Sequence, residues 1–157
     1  MAKRFLIQTK MAFDSAQSMQ SIELTPSVNT FVNSLDLKLT NKSNLALING
    51  VFSLGIESLT LIALQKISAT ISIYRDEAQT DLAYSVVQTL AVGAAALVIP
   101  SVDYVIPIQF VENPVIRGSE DTATYYISIT IDAVGVTLLP GNVSLNKYSI
   151  TAQEISE

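Results

Sequence analysis

The carboxylates Asp76, Glu77 and Asp81 crowd one short stretch of this sequence, and Glu120 and Asp121 stand together in another. Two such acids held across a cleft, ~5–9.5 Å apart, would make a glycoside-hydrolase centre. Acids clustered at a chain reversal are more simply read as solvated charges. The same oxygens suit Ca²⁺, which takes carboxylate and carbonyl ligands. Asp76, Asp81 and Asp121 are the calcium candidates, although neither EF-hand spacing nor a Gly-rich nonapeptide supports them. No resident metal or other cofactor is expected.

What is missing narrows the chemistry further. The chain has no His, no Cys and no Trp. Zinc, copper and non-haem iron sites of the common ligand sets cannot be built, nor can a His-based triad or a thiol nucleophile. Phosphate-cradling loops of the G-x-G-x-x-G or G-x-x-x-x-G-K kind are absent as well. The nine basic residues are scattered singly apart from Lys3-Arg4, and the net charge is −5. A phosphate backbone needs clustered cations, so nucleic acid is not an expected partner. Tyr104, Tyr125, Tyr126 and Tyr148 could form a sugar-stacking platform, against the plainer reading that their rings pack at the edge of a core. No enzyme and no small-molecule substrate are expected.

Charge points toward association instead. Only 15% of the residues are charged, where a soluble domain carries about 25%. Mean hydropathy is positive. Ser, Thr, Asn and Gln can dress part of such a surface, and the rest calls for a second copy of the chain. Residues 82–102 carry no charge and approach the length of a membrane span. Ser85, Gln88, Thr89, Gly93 and Pro100 interrupt them, and acids rather than basic anchors flank them. Two buried strands around a turn at Gly93 are the expectation. At the N-terminus, Gln8, Thr9 and Lys10 follow Lys3-Arg4 too soon for a secretory signal. Either a signal was removed before this numbering, or the protein leaves the cytoplasm by assembly or lysis.

The elements that position these residues are strands. Period-two alternation dominates the chain. Phe5, Ile7, Thr9, Met11 and Phe13 share one face of a first strand, and Leu35, Leu37 and Leu39 alternate with polar residues. Asn41 to Asn44 reads as a turn, and 45–56 as a largely buried strand. Residues 69–74 and 82–90 flank a hairpin tip at 75–79. Pro107 marks 104–110 as an edge or bulged strand. Tyr125, Ile127, Ile129 and Ile131 line one face of 124–131, and Pro140-Gly141-Asn142 turns the chain into 143–155. Residues 58–66 fit either a strand or a short helix. Roughly eight to ten strands in one all-β domain over 1–157 predict an antiparallel sandwich or barrel.

The second half also resembles a known cadence. Ile71-Ser72-Ile73-Tyr74-Arg75-Asp76 resembles the strand and "RDG" hairpin of small jelly-roll structural proteins. Ile106 to Pro114 is similar to their "F-V-D-x-P" segment, and Gly118 with Thr124 to Ile129 to their Gly and Thr-x-Tyr strand. Ser149 to Ile155 is similar to their closing "(I/F)TAxEI". The family includes surface and appendage subunits of bacterial endospores, related to tumour-necrosis-factor-like exosporium domains; phage fibre and head-decoration domains share the cadence. The resemblance covers 71–155 and implies a jelly roll. Glu77 departs from the family Gly, which puts the turn type in question, and the lack of Cys removes the disulfides some members use.

Together these readings lead to a non-enzymatic structural subunit that forms a homo-oligomer or filament on a bacterial spore or cell surface. A phage virion fibre or decoration protein is the alternative, and a carbohydrate- or calcium-binding module a third. Residues 1–14 are the expected arm reaching a neighbouring subunit, with Phe5, Ile7, Met11 and Phe13 as its contacts.

Overall fold

A computed structural model describes residues 13–93, 97–117 and 121–155. Its strands are β1 (Phe13–Ser18), β2 (Ile22–Leu24), β3 (Thr30–Lys38), β4 (Leu45–Ile56), β5 (Leu59–Leu61), β6 (Lys66–Tyr74), β7 (Leu82–Val92), β8 (Leu97–Ile99), β9 (Val102–Glu112), β10 (Thr122–Val134) and β11 (Val143–Ile155). The uncertain segment 58–66 is a strand at Leu59–Leu61 followed by a turn in which Leu64 takes a positive φ.

The pairing is nested about one hairpin. β6 pairs with β7, β5 with β8, β4 with β9, β3 with β10, and β1 and β2 both pair with β11, all antiparallel. The chain is therefore one long hairpin, its tip at residues 75–81, rolled up so that its arms also meet sideways through β4–β11 and β6–β10. This is the jelly roll, with one sheet ordered β1-β11-β4-β9 and the other β3-β10-β6-β7. β1 and β2 are one edge strand broken at 19–21.

Alternation explains why the sheets close on each other. On β10, Tyr125, Ile127, Ile129 and Ile131 are buried between the sheets, while Tyr126 and Thr130 are half-exposed on the other face. Ile48, Phe52 and Leu54 of β4 and Leu145 and Ile150 of β11 meet them from the opposite sheet. Each fully buried Ile, Leu or Phe contributes about 1.5–3 kcal/mol. Along one lateral side, Tyr84 of β7 stacks on Phe110 of β9 with centroids 4.6 Å apart. On the other side Asp14 of β1 accepts the backbone N–H of Asp36 of β3 at 2.7 Å.

Pro107 does lie on an edge strand, since β9 ends its sheet. The expectation for 82–102 needs correcting. The two strands there are β7 and β8, but they do not pair with each other, and β7 is an exposed edge rather than a buried strand. Its lack of charge does not mark burial inside this chain. Gly93 ends β7 because its backbone packs directly on the Ile62 carbonyl, where no Cβ fits, and its N–H donates to the Gln65 carbonyl at 2.7 Å. Among the described residues no helix is long and apolar enough to cross a membrane.

Candidate assembly interface

The structure places the hairpin carboxylates and the tyrosines among the candidate residues. The hairpin carboxylates are already engaged. Asp76 accepts from the Thr80 and Asp81 backbone N–H groups at 2.9 and 2.7 Å and from the Thr80 hydroxyl at 2.7 Å. These bonds hold its carboxyl below the ordinary aspartate value, the Asp81 N–H contributing most. Asp76 thus shapes the tip, and Gln79 rather than residue 77 supplies the positive φ. The turn therefore asks no left-handed conformation of Glu77, where the proteins it resembles carry Gly. Asp81 binds Arg75 at 2.8 Å and Arg117 at 2.7 Å, and Asp121 binds Lys42 at 2.9 Å. Two of the three calcium candidates, Asp81 and Asp121, are thus ion-paired with arginine or lysine. Among the described residues no three acids come together as a metal site.

Arg75 is the organiser of this end. Its Nε and Nη2 fork onto the Glu112 carboxylate, with 2.6 Å for the shortest contact, and Nη1 also reaches the Leu82 carbonyl at 3.1 Å. The Glu112 bonds hold its guanidinium above its ordinary value, outweighing the opposing effect of burial. The Tyr125 hydroxyl is buried near the same carboxylate without a well-formed hydrogen bond, and burial pushes it well above the usual tyrosine range. The cluster ties the hairpin tip to β9.

The four tyrosines form no platform. Tyr125 and Tyr148 point into the core, where Tyr148 lies parallel to Phe52 and its hydroxyl accepts from Asn33 at 2.9 Å. Tyr104 packs against the same core, and Tyr126 alone faces outward, opposite Tyr74. Successive side chains of a strand point to opposite faces, so Tyr125 and Tyr126 had to divide. Ser144 and Lys147 have S-x-x-K spacing, but the Ser144 hydroxyl donates to Asn146 at 2.8 Å and a bulge separates the pair on β11.

The surface that stands out is the outer face of the β1-β11-β4-β9 sheet. Strand register lays its residues out in rows: Gln153, Leu47 and Val111; then Ser15, Thr151, Asn49 and Gln109; then Gln17, Ser149, Val51 and Pro107; then Lys147, Ser53 and Val105. Lys147 is the one charged residue in these four rows; the next row, Glu23, Ser144, Gly55 and Asp103, brings two acids at the end of the face. Val51 is 46% exposed and Val105 64% exposed. Two adjoining concavities of about 350 and 440 Å³ share Val51 and Ser149 on this face. Asn49 accepts from Gln109 at 2.8 Å, so even the amides are partly paired with each other. The opposite sheet, by contrast, carries Asp36, Lys38 and Asp132 on its strands. Sequence reading missed the outer face because β4 and β9 each looked simply apolar; the signal was the lack of charge at the alternate positions 47–53 and 105–111 of two strands that are distant in sequence. Of the expected arm contacts, Phe5, Ile7 and Met11 lie outside the described residues, and Phe13 begins β1, paired with Gln153 of its own chain.

No protein-family model and no curated protein matches this sequence. Solved structures do resemble it. A chain of the T13 viral particle of infectious bursal disease virus aligns with a TM-score of 0.50 at 10% identity, over 94% of this chain and 31% of that one. A chain of the VP2 subviral particle of the same virus gives 0.48 at 10% identity, over 94% of this chain and 33% of that one. This chain therefore spans a minor part of their length. At such identity the first likeness shows the fold, a β-sandwich of the kind described above.

Proposed function

We propose that this chain is a non-enzymatic structural subunit that assembles with copies of itself, and that its setting is a virion. The observation that carries the assembly reading is the run of four successive rows on the outer face of the β1-β11-β4-β9 sheet, from Gln153 to Lys147, in which Lys147 is the one charge. Two copies of a protein with net charge −5 repel wherever acids face acids. On this face no acid lies in the rows from Gln153 to Lys147, so copies meet there without that cost. Hydrophobic contact of Val51, Val105 and Val111 then has little to oppose it.

The virion setting rests on the fold likeness to a viral particle chain. That likeness favours a virion protein over the spore-surface subunit which the C-terminal cadence implied, and the spore setting draws no support from it. Residues 1–14 are proposed as an arm to a neighbouring copy, with Phe5, Ile7, Met11 and Phe13 as its contacts. No cofactor, nucleic acid or small-molecule substrate enters this role.

Negative-stain electron microscopy with light scattering on the purified protein tests the reading. Rings, shells or fibres are expected, and Val51→Lys with Val105→Lys should shift them toward smaller species. A wild-type protein that stays monomeric at high concentration would overturn it.

A further inference from the structure

A two-sheet sandwich has four lateral edges, and each offers a row of backbone donors and acceptors to another chain. Three of these edges are blocked by recognisable devices. β9 carries Pro107 in its middle, so the free side lacks a donor there. Among the described residues the β1/β2 edge is broken at 19–21. On β3 the Asp36 N–H is taken by Asp14 and the Ser34 N–H by Asn33 at 2.8 Å, and Asp36 and Lys38 add charge.

β7 is different. Leu82 to Val92 contains no charged residue and no Pro. Arg75 occupies the Leu82 carbonyl, and bulges fall at Ala83 and Leu90, where the register with β6 shifts. Between the bulges Tyr84 to Thr89 pairs regularly with β6. The Gln88 side chain donates to the Thr89 carbonyl at 3.0 Å, and among the described residues no other group is bonded along the free side of this stretch. Val87 is 62% exposed at its centre. Natural edges of this length and polarity are normally defended.

We infer that the β7 edge pairs antiparallel with the β7 edge of a second copy, about a two-fold axis at Val87, joining two four-stranded sheets into one of eight. The inference rests on the self-assembly reading and assigns it a specific contact. A second copy is the occupant because the stretch is self-complementary. Residues facing each other across an antiparallel pair must share a face, so a two-fold axis must pass through a residue and not between two. Centred on Val87, it sets Val87 against Val87, Ser85 against Thr89 and Val86 against Gln88. No like charges meet, the exposed valine is covered by a β-branched partner, and small hydroxyl side chains flank it. The bulges at Ala83 and Leu90 limit the ladder to the regular stretch, which stops it from slipping in register.

The chain has no Cys, so one introduced thiol reports one position. Val87→Cys places two thiols directly across the axis, within disulfide reach. In mild oxidant it should form a covalent dimer roughly a hundredfold faster than Val98→Cys on β8, the ratio of a millimolar effective concentration to about ten micromolar protein. Val87→Lys, at an exposed position that leaves the fold intact, should lower the mass of the assembly in light scattering. Assemblies that persist while Val87→Cys cross-links no faster than Val98→Cys would overturn the β7 contact and leave the self-assembly reading standing. Preferential linking of Val87→Cys to Ile7→Cys on a mixed partner would overturn the second β7 as occupant in favour of a neighbour's N-terminal segment. A wild-type monomer at every concentration would sink both readings together.

Discussion

The carboxylate of Glu154, near the end of the last strand, holds the hydroxyl of Thr40 at 2.7 Å and its backbone N–H at 2.8 Å. It also accepts from the Asn41 N–H at 3.0 Å and the Asn44 side-chain amide at 2.9 Å. Glu154 is fully buried, and it fastens the β3–β4 turn to β11 over more than a hundred residues of chain. All four of these groups are donors, and a carboxylate is the side chain that only accepts. Glu154→Gln turns one of its oxygens into an NH₂ pressed against those donors. The cost should be about 2 kcal/mol, the size of a lost charge-assisted hydrogen bond. Urea unfolding should show a lower midpoint with an unchanged slope.

Arg75 and Glu112 join the hairpin tip to β9 through a two-pronged contact, with side chains 21% and 10% exposed. Lysine keeps the charge and loses the fork. Arg75→Lys is expected to destabilise by about 1–3 kcal/mol, and a double-mutant cycle with Glu112→Gln should give a coupling of about 1–2 kcal/mol. Additive effects of the two changes would show that the contact carries no stability.

Acid should open the hairpin tip late. The Asp76 carboxyl is held below its ordinary value by hydrogen bonds from Asp81 and Thr80, so the folded form favours the ionised state. Its contribution is fully present above the unfolded value of about 3.9 and is lost as pH falls through the lower folded value. Amide shifts of Thr80 and Asp81, followed by NMR, should therefore inflect below about pH 3.9. Asp76→Asn should abolish that inflection; an inflection above the ordinary value would contradict the geometry.

At the other end of the pH scale, Tyr125 opposes ionisation. Burial, with Glu112 nearby, raises its hydroxyl above the usual tyrosine range. The folded form thus favours the neutral ring, and this stability is present below the unfolded value of about 10 and declines as pH rises beyond it. Tyr125 should ionise only with unfolding, seen as a cooperative step in ultraviolet difference absorbance. Tyr125→Phe should remove its share of the alkaline loss while changing neutral-pH stability by less than about 1 kcal/mol, because the hydroxyl has no well-formed partner.

Sequence alone determined several of the strands, the turn at 140–142 and the inner faces of β3 and β10. The alternation of Leu35, Leu37 and Leu39, and of Ile127, Ile129 and Ile131, reports which side of each strand is dry, and all six are buried. Pro140-Gly141-Asn142 turns the chain as read, with Gly141 at positive φ and the Asn142 side chain accepting the Leu139 N–H at 2.7 Å. These are local properties, set by a two-residue period and by backbone conformations few residues adopt. Tertiary structure decided everything that depends on which strands become neighbours. It made Asp81 a partner of Arg75 and Arg117 and turned the uncharged 82–92 stretch into an open edge. It also brought Val51, Pro107 and Ser149 into one row. Such a row is invisible in sequence because strand order is chosen by long-range packing of the whole rolled hairpin, and a strand's own pattern carries no record of its neighbour.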